Sequence, residues 1–345
     1  MKVLSLFDGI SGGQIALNRL GVNIEKYYAS EIDKFSMMIT NKNYPNTIQL
    51  GDITKITVED IKKLGKIDLV LAGSPCQGFS NNGKHLNFDD HKSKLFFNFV
   101  EILEYVKEAN NDVKFLLENV VMRKEWEHTI TKYMNVKPLK INSKLLSAQN
   151  RNRLYWTNIE GVEMPVDKKI MLSDIVEDVE LEDFTLRGNL KISNQFNHDH
   201  KKLIDVVNGE VIIKQVCKLG YIVANENDGI NLGYPKSQTR RGRVIKGKSS
   251  CLDTLCKVGV YNNNSIRYFT MSELEKLQTL PTDYTKVEGV SDNARKKAIG
   301  NGWTIDVISH ILSYMLWFTN ALAEAQWDMV VFTIFQQGEG VFKYK

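Results

Sequence analysis

The chain is poor in cysteine, in net charge and in long apolar runs. Only Cys76, Cys217, Cys251 and Cys256 occur in 345 residues, and no two form a Cys-x-x-Cys pair. That spacing excludes a disulfide framework or a zinc site of paired thiolates. A reducing cytoplasm is therefore the expected compartment. No stretch of about 18 residues is free of charged or polar breaks, so no membrane-spanning helix and no membrane partner are expected. Lys and Arg number 45 against 41 Asp and Glu, a net charge of +4. Charge alone thus neither demands nor forbids a polyanionic partner. Internal repeats and low-complexity tracts are absent. With 43% hydrophobic and 25% charged residues, general disorder is excluded as well. The opening MKVLSLFDGISGG carries one Lys and a short apolar run before Asp8, and reads as a first strand rather than a secretory leader.

What is present is alternation. Val3–Leu6, Lys26–Ala29, Asp68–Leu71, Lys114–Leu117 and Arg153–Thr157 read as strands. A helix is expected from Gln14 to Leu20. Another is expected over Ser93–Val106, where Leu95, Phe99, Ile102, Leu103 and Val106 recur at helical spacing. This pattern predicts an α/β fold with a mostly parallel sheet, helices on both faces and ligands beyond the carboxyl ends of the strands. After Gly161 the periodicity changes. Residues 162–265 read as a smaller, β-rich and loop-rich module with strands near Glu210–Lys218 and Gly220–Ala224. Helices return at Thr270–Thr279, opened by a capping box of Thr270 and Glu273, and at Ile305–Leu316. In the tail, Met329–Phe335 suggests a hairpin that packs on its own domain or on another subunit, so the oligomeric state stays open.

The turn Phe7-Asp8-Gly9-Ile10-Ser11-Gly12-Gly13 follows the first strand and opens a helix. Its glycines allow close backbone approach to a ligand. Glu31 ends the second strand and is placed to accept from a ribose diol. Asp52 follows the next strand and is placed to accept from an adenine amino group. In that order they point to an adenosine-containing cofactor. They do not separate a dinucleotide from S-adenosylmethionine.

The loop Ser74-Pro75-Cys76-Gln77-Gly78-Phe79-Ser80 leaves another strand at the same sheet edge, and a thiol there is positioned as a nucleophile. Glu118 ends an apolar strand, where a carboxyl is placed to act as an acid. Arg151 and Arg153 alternate in Gln-Asn-Arg-Asn-Arg, so both can face one carbonyl or anionic target. The segment Lys236–Lys248 holds Lys236, Arg240, Arg241, Arg243, Lys246 and Lys248 with no acid. Such a charge run is ordinarily a solvated face, and beside a site that modifies nucleic-acid bases it would instead contact phosphates and grooves.

In this order these segments resemble the DNA (cytosine-5)-methyltransferase family over nearly the whole chain: FDGISGG, SEID, GDIT, SPCQGFS, ENV, QNRNR, IRYFTMSELEKLQTLPTDY and GNGWTIDVISHIL. The cofactor loop is similar to that of the de novo methyltransferases. The family's usual Gly-Asn-Ser reads Gly300-Asn301-Gly302 here, and Gly302 is expected to permit the same turn. The resemblance implies a Rossmann-like S-adenosylmethionine-dependent methyltransferase domain at 1–159 and 267–320. It also implies a β-rich target-recognition domain at 160–266, closed by the Thr-Leu pair Thr254-Leu255, and a tail at 321–345. Cys251 and Cys256 are expected to be packing residues.

The same resemblance implies the roles. Cys76 attacks carbon 6 of an extruded cytosine, Glu118 holds or protonates ring nitrogen 3, Arg153 contacts the carbonyl oxygen and Arg151 holds the cysteine loop. Phe7, Asp8, Gly9, Ile10, Gly12, Glu31, Ile32, Asp52, Ile53, Pro75, Leu95, Asn301 and Trp303 surround the cofactor. Gln77, Ser80, Arg240, Arg241, Arg243, Lys246 and Lys248 contact DNA. The implied partners are double-stranded DNA, which would associate the protein with the nucleoid, and a cognate restriction endonuclease. The close alternative is methylation of RNA, such as tRNA, by the same chemistry. A nicotinamide-dependent oxidoreductase would need Gly-x-Gly-x-x-Gly and a second nucleotide-binding half, and neither occurs. A catalytically inert DNA-binding regulator is disfavoured by the intact Cys76, Glu118, Arg151 and Arg153.

Overall fold

The computed structural model describes residues 1–75, 91–179, 184–187 and 190–316. Seven strands form the main sheet: β1 (Lys2–Leu6), β2 (Lys26–Ser30), β3 (Ile48–Gln49), β4 (Leu69–Gly73), β5 (Lys114–Val120), β6 (Leu139–Asn142) and β7 (Asn152–Thr157). Their order is β3-β2-β1-β4-β5-β7-β6. β1 to β5 run parallel, while β7 is antiparallel to both its neighbours. The order reverses between β1 and β4, the place where open α/β sheets leave a crevice for ligands.

Both faces of the sheet are covered, which explains why its strands are apolar without alternation. Val3, Leu69, Leu71 and Leu116 face one core, with α1 (Gly12–Arg19) and helical residues 305–316. Leu4, Leu6, Val70, Ala72, Phe115 and Leu117 face the other. There they meet α3 (Val58–Leu64), α4 (His91–Ala109) and α5 (Lys124–Met134). Phe96, Phe99 and Leu103 of α4 are fully buried, each stabilising the fold by about 1.5–3 kcal/mol.

The remaining helices of this region are α2 (Lys34–Asn43), α6 (Met271–Leu277) and α7 (Asp292–Asn301). At α6 the expected capping box is formed: Thr270 Oγ1 accepts from the Glu273 amide, and the Thr270 amide donates to Glu273 Oε2 at 2.7 Å. Helical residues 305–316 return to the first strand's neighbourhood, with Ser309 Oγ donating to the Ala16 carbonyl.

Residues 184–268 hold a six-stranded sheet and a three-stranded one, Ile204–Val207, Glu210–Lys214 and Tyr221–Ala224. They enclose a separate core of Leu190, Ile192, Phe196, Ile204, Val211, Ile213, Ala224, Ile230, Leu232 and Ile266. Its entry and exit segments are clamped together. Buried Arg267 donates to both Glu273 carboxylate oxygens at 2.7 Å and to the Glu177 carbonyl at 3.0 Å. Lys276 and Ser272 bind the Glu177 carboxylate. Among the described residues no helix is long and apolar enough to cross a membrane.

Candidate active site

A cavity of about 370 Å³ opens at the carboxyl ends of β1, β2, β4 and β5. On one side it is lined by Phe7, Gly9, Glu31, Ile32, Asp52, Ile53, Pro75, Leu95 and Asn301, and on the other by Glu118, Asn119, Arg151 and Arg153.

The first wall is organised by Glu31. Its Oε2 accepts from the Gly9 amide, and its Oε1 from the amides of Ile32 and Asp33, each at 2.8 Å. A carboxylate fixed by three backbone donors cannot swing away, so its remaining acceptor capacity faces the cavity. Gly9 has φ +60, and a side chain there would project into open space with no atom within 4 Å. The glycine thus leaves room beside Glu31. Ile32 is 74% exposed at the rim, an apolar surface that suits the flat face of a base. Asp52 caps the turn Ile53–Lys55 by accepting from Thr54 at 2.9 Å. Volume, ribose-type acceptor, apolar cover and glycine gap together fit an adenosine-containing ligand. Glu31→Ala is expected to weaken S-adenosylmethionine binding about 10- to 100-fold by calorimetry. Unchanged affinity would remove Glu31 from the cofactor wall.

Four residues expected at the cofactor, Asp8, Ile10, Gly12 and Trp303, are not among the described residues that line the cavity. Asp8 is buried, and both its oxygens are engaged inside the fold, with Ser11 Oγ and with the Tyr27 hydroxyl at 2.8 Å. Burial pushes its carboxyl above the usual range, and these hydrogen bonds only partly offset that. Ile10 is buried, and its carbonyl accepts from Tyr284. Gly12 packs against Ile305 and Trp303. The Trp303 indole lies over Gly73, where a Cβ would fall 2.9 Å from Nε1. They shape the loop from beneath, because a tight turn after a buried strand needs an internal polar partner as well as a ligand-facing edge. Gly302, at φ −68 and ψ 168, is extended, a conformation open to any residue, so the position does not itself require glycine.

On the second wall Glu118 and Arg153 form an ion pair, Nε to Oε1 2.8 Å, both mostly buried. β5 and β7 bring them together, since Glu118 pairs with Tyr155 and Val120 with Arg153 across the antiparallel ladder. Burial alone would lower the Arg153 guanidinium, but Glu118 beside it raises it. Among the described residues Arg151 serves the backbone, while the cysteine loop it was expected to hold lies outside them. Arg151 is 3% exposed and donates to the carbonyls of Leu252, Gly300 and Gly302 at 3.0 to 3.2 Å. Those carbonyls lie at a helix end and a chain crossing, where the backbone lacks its own donors. The two arginines meet at Cys251 Sγ, 3.4 Å from Arg151 and 3.8 Å from Arg153. Gln149, from the same motif, joins Leu252, Leu277 and Gln278 in a buried network.

Cys251 is exposed, not a packing residue, whereas Cys256 is buried. The expected Thr254-Leu255 closure also shifts: Leu255 is 56% exposed, while Leu252 is buried and bonded to Gln149 and Arg151. Three basic residues assigned to DNA are spent internally. Arg243 donates to the carbonyls of Gly233, Tyr234 and Ser237. Lys248 donates to those of Lys144, Ser147 and Ile170. Lys246 pairs with buried Asp228 at 2.7 Å. Turns with few ladder bonds leave carbonyls unpaired, and long cationic side chains satisfy them. Arg240 is half-buried and Arg241 exposed. Cys76, Gln77, Ser80 and the 321–345 tail lie outside the described residues.

Two participants were missed in the sequence. Asn119 Nδ2 donates to Ser74 Oγ at 3.0 Å and tethers the residue two before Cys76. Lys297 of α7 pairs with Asp33 at the cavity rim and, with two backbone donors, keeps that carboxyl below its usual range despite burial. Strand alternation next to Glu118 signalled the first. No local pattern signals the second, whose partners are 264 positions apart.

Comparison with known proteins gives a consistent result. Residues 1–317 match the model of the C-5 cytosine-specific DNA methylase family. The chain is 28% identical over 336 residues to the type II methyltransferase M1.ScrFI of Lactococcus lactis subsp. cremoris, covering 91% of this chain and 78% of that one. It is 39% identical over 124 residues to the type II methyltransferase M.NgoBV of Neisseria gonorrhoeae, covering 35% and 28%. Among solved structures, the Entamoeba histolytica methyltransferase EhMeth superposes with TM-score 0.64 at 19% identity, covering 91% and 97%.

Proposed function

Since the chain belongs to the C-5 cytosine-specific DNA methylase family, we propose that it methylates a cytosine extruded from duplex DNA through a transient covalent bond to Cys76. The enzyme is a DNA cytosine-5 methyltransferase, and its methyl donor is S-adenosylmethionine. The observation that carries the mechanistic reading is one cavity with two walls, the Glu31 side and the Glu118–Arg153 side.

Phe7, Glu31, Ile32, Asp52 and Asn301 would hold S-adenosylmethionine, which would supply an electrophilic methyl group. The chain's own residues prepare the acceptor. Carbon 5 of cytosine is a weak nucleophile. Addition of the Cys76 thiolate to carbon 6 makes the ring enamine-like, with Glu118 at ring nitrogen 3 and Arg153 at the carbonyl oxygen. Their mutual ion pair keeps both groups in place before the base arrives and leaves them to exchange one another for the base. Carbon 5 would then take the methyl group, with S-adenosylhomocysteine as the leaving group. Removal of the proton from the methylated carbon 5 by a base would restore the ring double bond and expel the thiolate.

Extrusion costs on the order of ~2–5 kcal/mol, which contacts to the duplex must supply. We assign 1–159 and 267–320 to the catalytic domain and 160–266 to target recognition, because the latter region encloses its own core. A cognate restriction endonuclease is the proposed partner, on the strength of the type II relatives. The test is methyl transfer from labelled S-adenosylmethionine to duplex DNA and to tRNA, with bisulfite sequencing of the DNA. Labelled DNA with conversion-resistant cytosines is expected. Labelled tRNA alone would overturn the reading in favour of RNA methylation.

A further inference from the structure

Arg243 fixes a loop. Its guanidinium is 1% exposed and donates to the carbonyls of Gly233, Tyr234 and Ser237 at 3.3 to 3.4 Å. Its amide donates to Gln215 Oε1 at 3.0 Å. A buried guanidinium is tolerated only where its donors are met, so the 233–237 loop is held in one posture. Tyr234 sits in that loop at φ 57, a conformation uncommon for an aromatic residue, and its side chain is 67% exposed. Backbone strain that ends by displaying an aromatic ring to solvent is a feature of binding loops rather than of packing.

The Arg240 guanidinium lies over this ring, 5.3 Å from its centroid, and its Nε is buried without a hydrogen-bond partner. The arginine is thus immobilised by stacking with its outer donors uncommitted to any described residue. Its carbonyl accepts from the Val216 amide at 3.1 Å, which anchors it to the neighbouring hairpin end.

The loop is wired to the cavity. Asn231 Oδ1 accepts from the Gly233 amide, and Asn231 Nδ2 donates to Ser250 Oγ at 3.0 Å. Cys251, the next residue, touches Arg151 and Arg153. The posture of Tyr234 and Arg240 is therefore set relative to the place where the base would react.

We propose that Tyr234 and Arg240 are the base-reading pair of this enzyme. Arg240 donates its fork to O6 and N7 of a guanine in the major groove beside the target cytosine, and Tyr234 holds the fork by stacking. This inference rests on the DNA-methylation reading above. The fork of an arginine matches those two acceptors and stacks on the tyrosine ring, and a lysine keeps the charge but loses the planar fork and the stack. Exposed Arg241, without such a stack, suits phosphate.

The full-length wild type, Arg240→Gln and Arg240→Lys are used to methylate a plasmid carrying randomised sites, followed by bisulfite sequencing. S-adenosylmethionine binding by each variant verifies its folding. The wild type is expected to require guanine at one position next to the methylated cytosine. Both variants are expected to lose that requirement and to methylate the wild-type site about 10-fold or more slowly. An unchanged consensus with uniformly weaker, less salt-dependent binding would mean a phosphate contact and overturn the proposal. A wild type that methylates tRNA and no DNA would instead overturn the reading beneath it.

Discussion

Cys76→Ser is expected to lower methyl transfer by at least ~10³-fold, the scale on which loss of a covalent nucleophile acts, while S-adenosylmethionine binding stays within about twofold of wild type. The asymmetry follows from the two walls of the cavity. The cofactor wall is organised by Glu31 and the backbone amides of Gly9, Ile32 and Asp33. None of these depends on the thiol. Serine is close to cysteine in size, but its hydroxyl is far less ionised and less nucleophilic at neutral pH. Single-turnover transfer and calorimetry on the same preparation separate the two effects. Retained turnover would mean that another group attacks the base. Parallel loss of cofactor binding would mean that Cys76 acts on structure.

The second large effect concerns stability. Gly300→Ala is expected to destabilise the protein by about 3 kcal/mol or more, seen as a lowered thermal midpoint and loss of S-adenosylmethionine binding. A Cβ at this position would lie 2.1 Å from the Asp253 carbonyl oxygen, 2.5 Å from its carbon and 2.9 Å from the Thr254 amide. All three are backbone atoms with no side-chain freedom to yield. The Gly300 carbonyl also receives Arg151 at 3.2 Å, so displacing α7 would break the bonds that Arg151 makes to Leu252 and Gly302. Asn301, on the cofactor wall, would move with it. Unchanged melting of the Gly300→Ala variant would show that this crossing is looser than the described contacts require. The glycine is therefore needed for close approach of two chain segments rather than for a special backbone angle.

These two cases also show where the fold and site were legible in the sequence. Strands β1, β2, β4, β5 and β7 announced themselves because both faces are buried and their central residues are mostly apolar. β6 did not, since a mixed Leu139–Asn142 buries too little to leave a pattern, and the two-residue β3, Ile48–Gln49, was legible only as a short strand ahead of Asp52. Helices α2 and α3 depend on caps more than on periodicity. Asp33 accepts from the Phe35 and Ser36 amides, and Thr57 forms a capping box with Asp60.

At the site, residues that face the cavity at strand ends were readable as a class: Glu31, Glu118 and Arg153 stand at the cavity. What local reading missed was the division between ligand-facing and carbonyl-satisfying polar groups. Asp8, Arg151, Arg243 and Lys248 have the chemistry of binding residues, yet each serves backbone or side-chain partners. That division depends on which carbonyls a distant loop leaves unpaired, and sequence spacing carries no record of it. The basic run 236–248 therefore contributes less charge to the surface than its composition suggests. Within that run Lys236 pairs with Asp199 at 3.4 Å, which leaves Arg240 and Arg241 for the proposed DNA contact.

The most direct test of the central claim is trapping with a duplex in which 5-fluorocytosine replaces the target cytosine. The fluorine at carbon 5 cannot leave as a proton does, so the thioether at carbon 6 cannot be released after methyl transfer. With S-adenosylmethionine present, a denaturation-resistant complex is expected, and peptide mapping should place the bond at Cys76. If wild-type protein methylates the unsubstituted duplex but forms no adduct with the fluorinated one, the covalent account is contradicted.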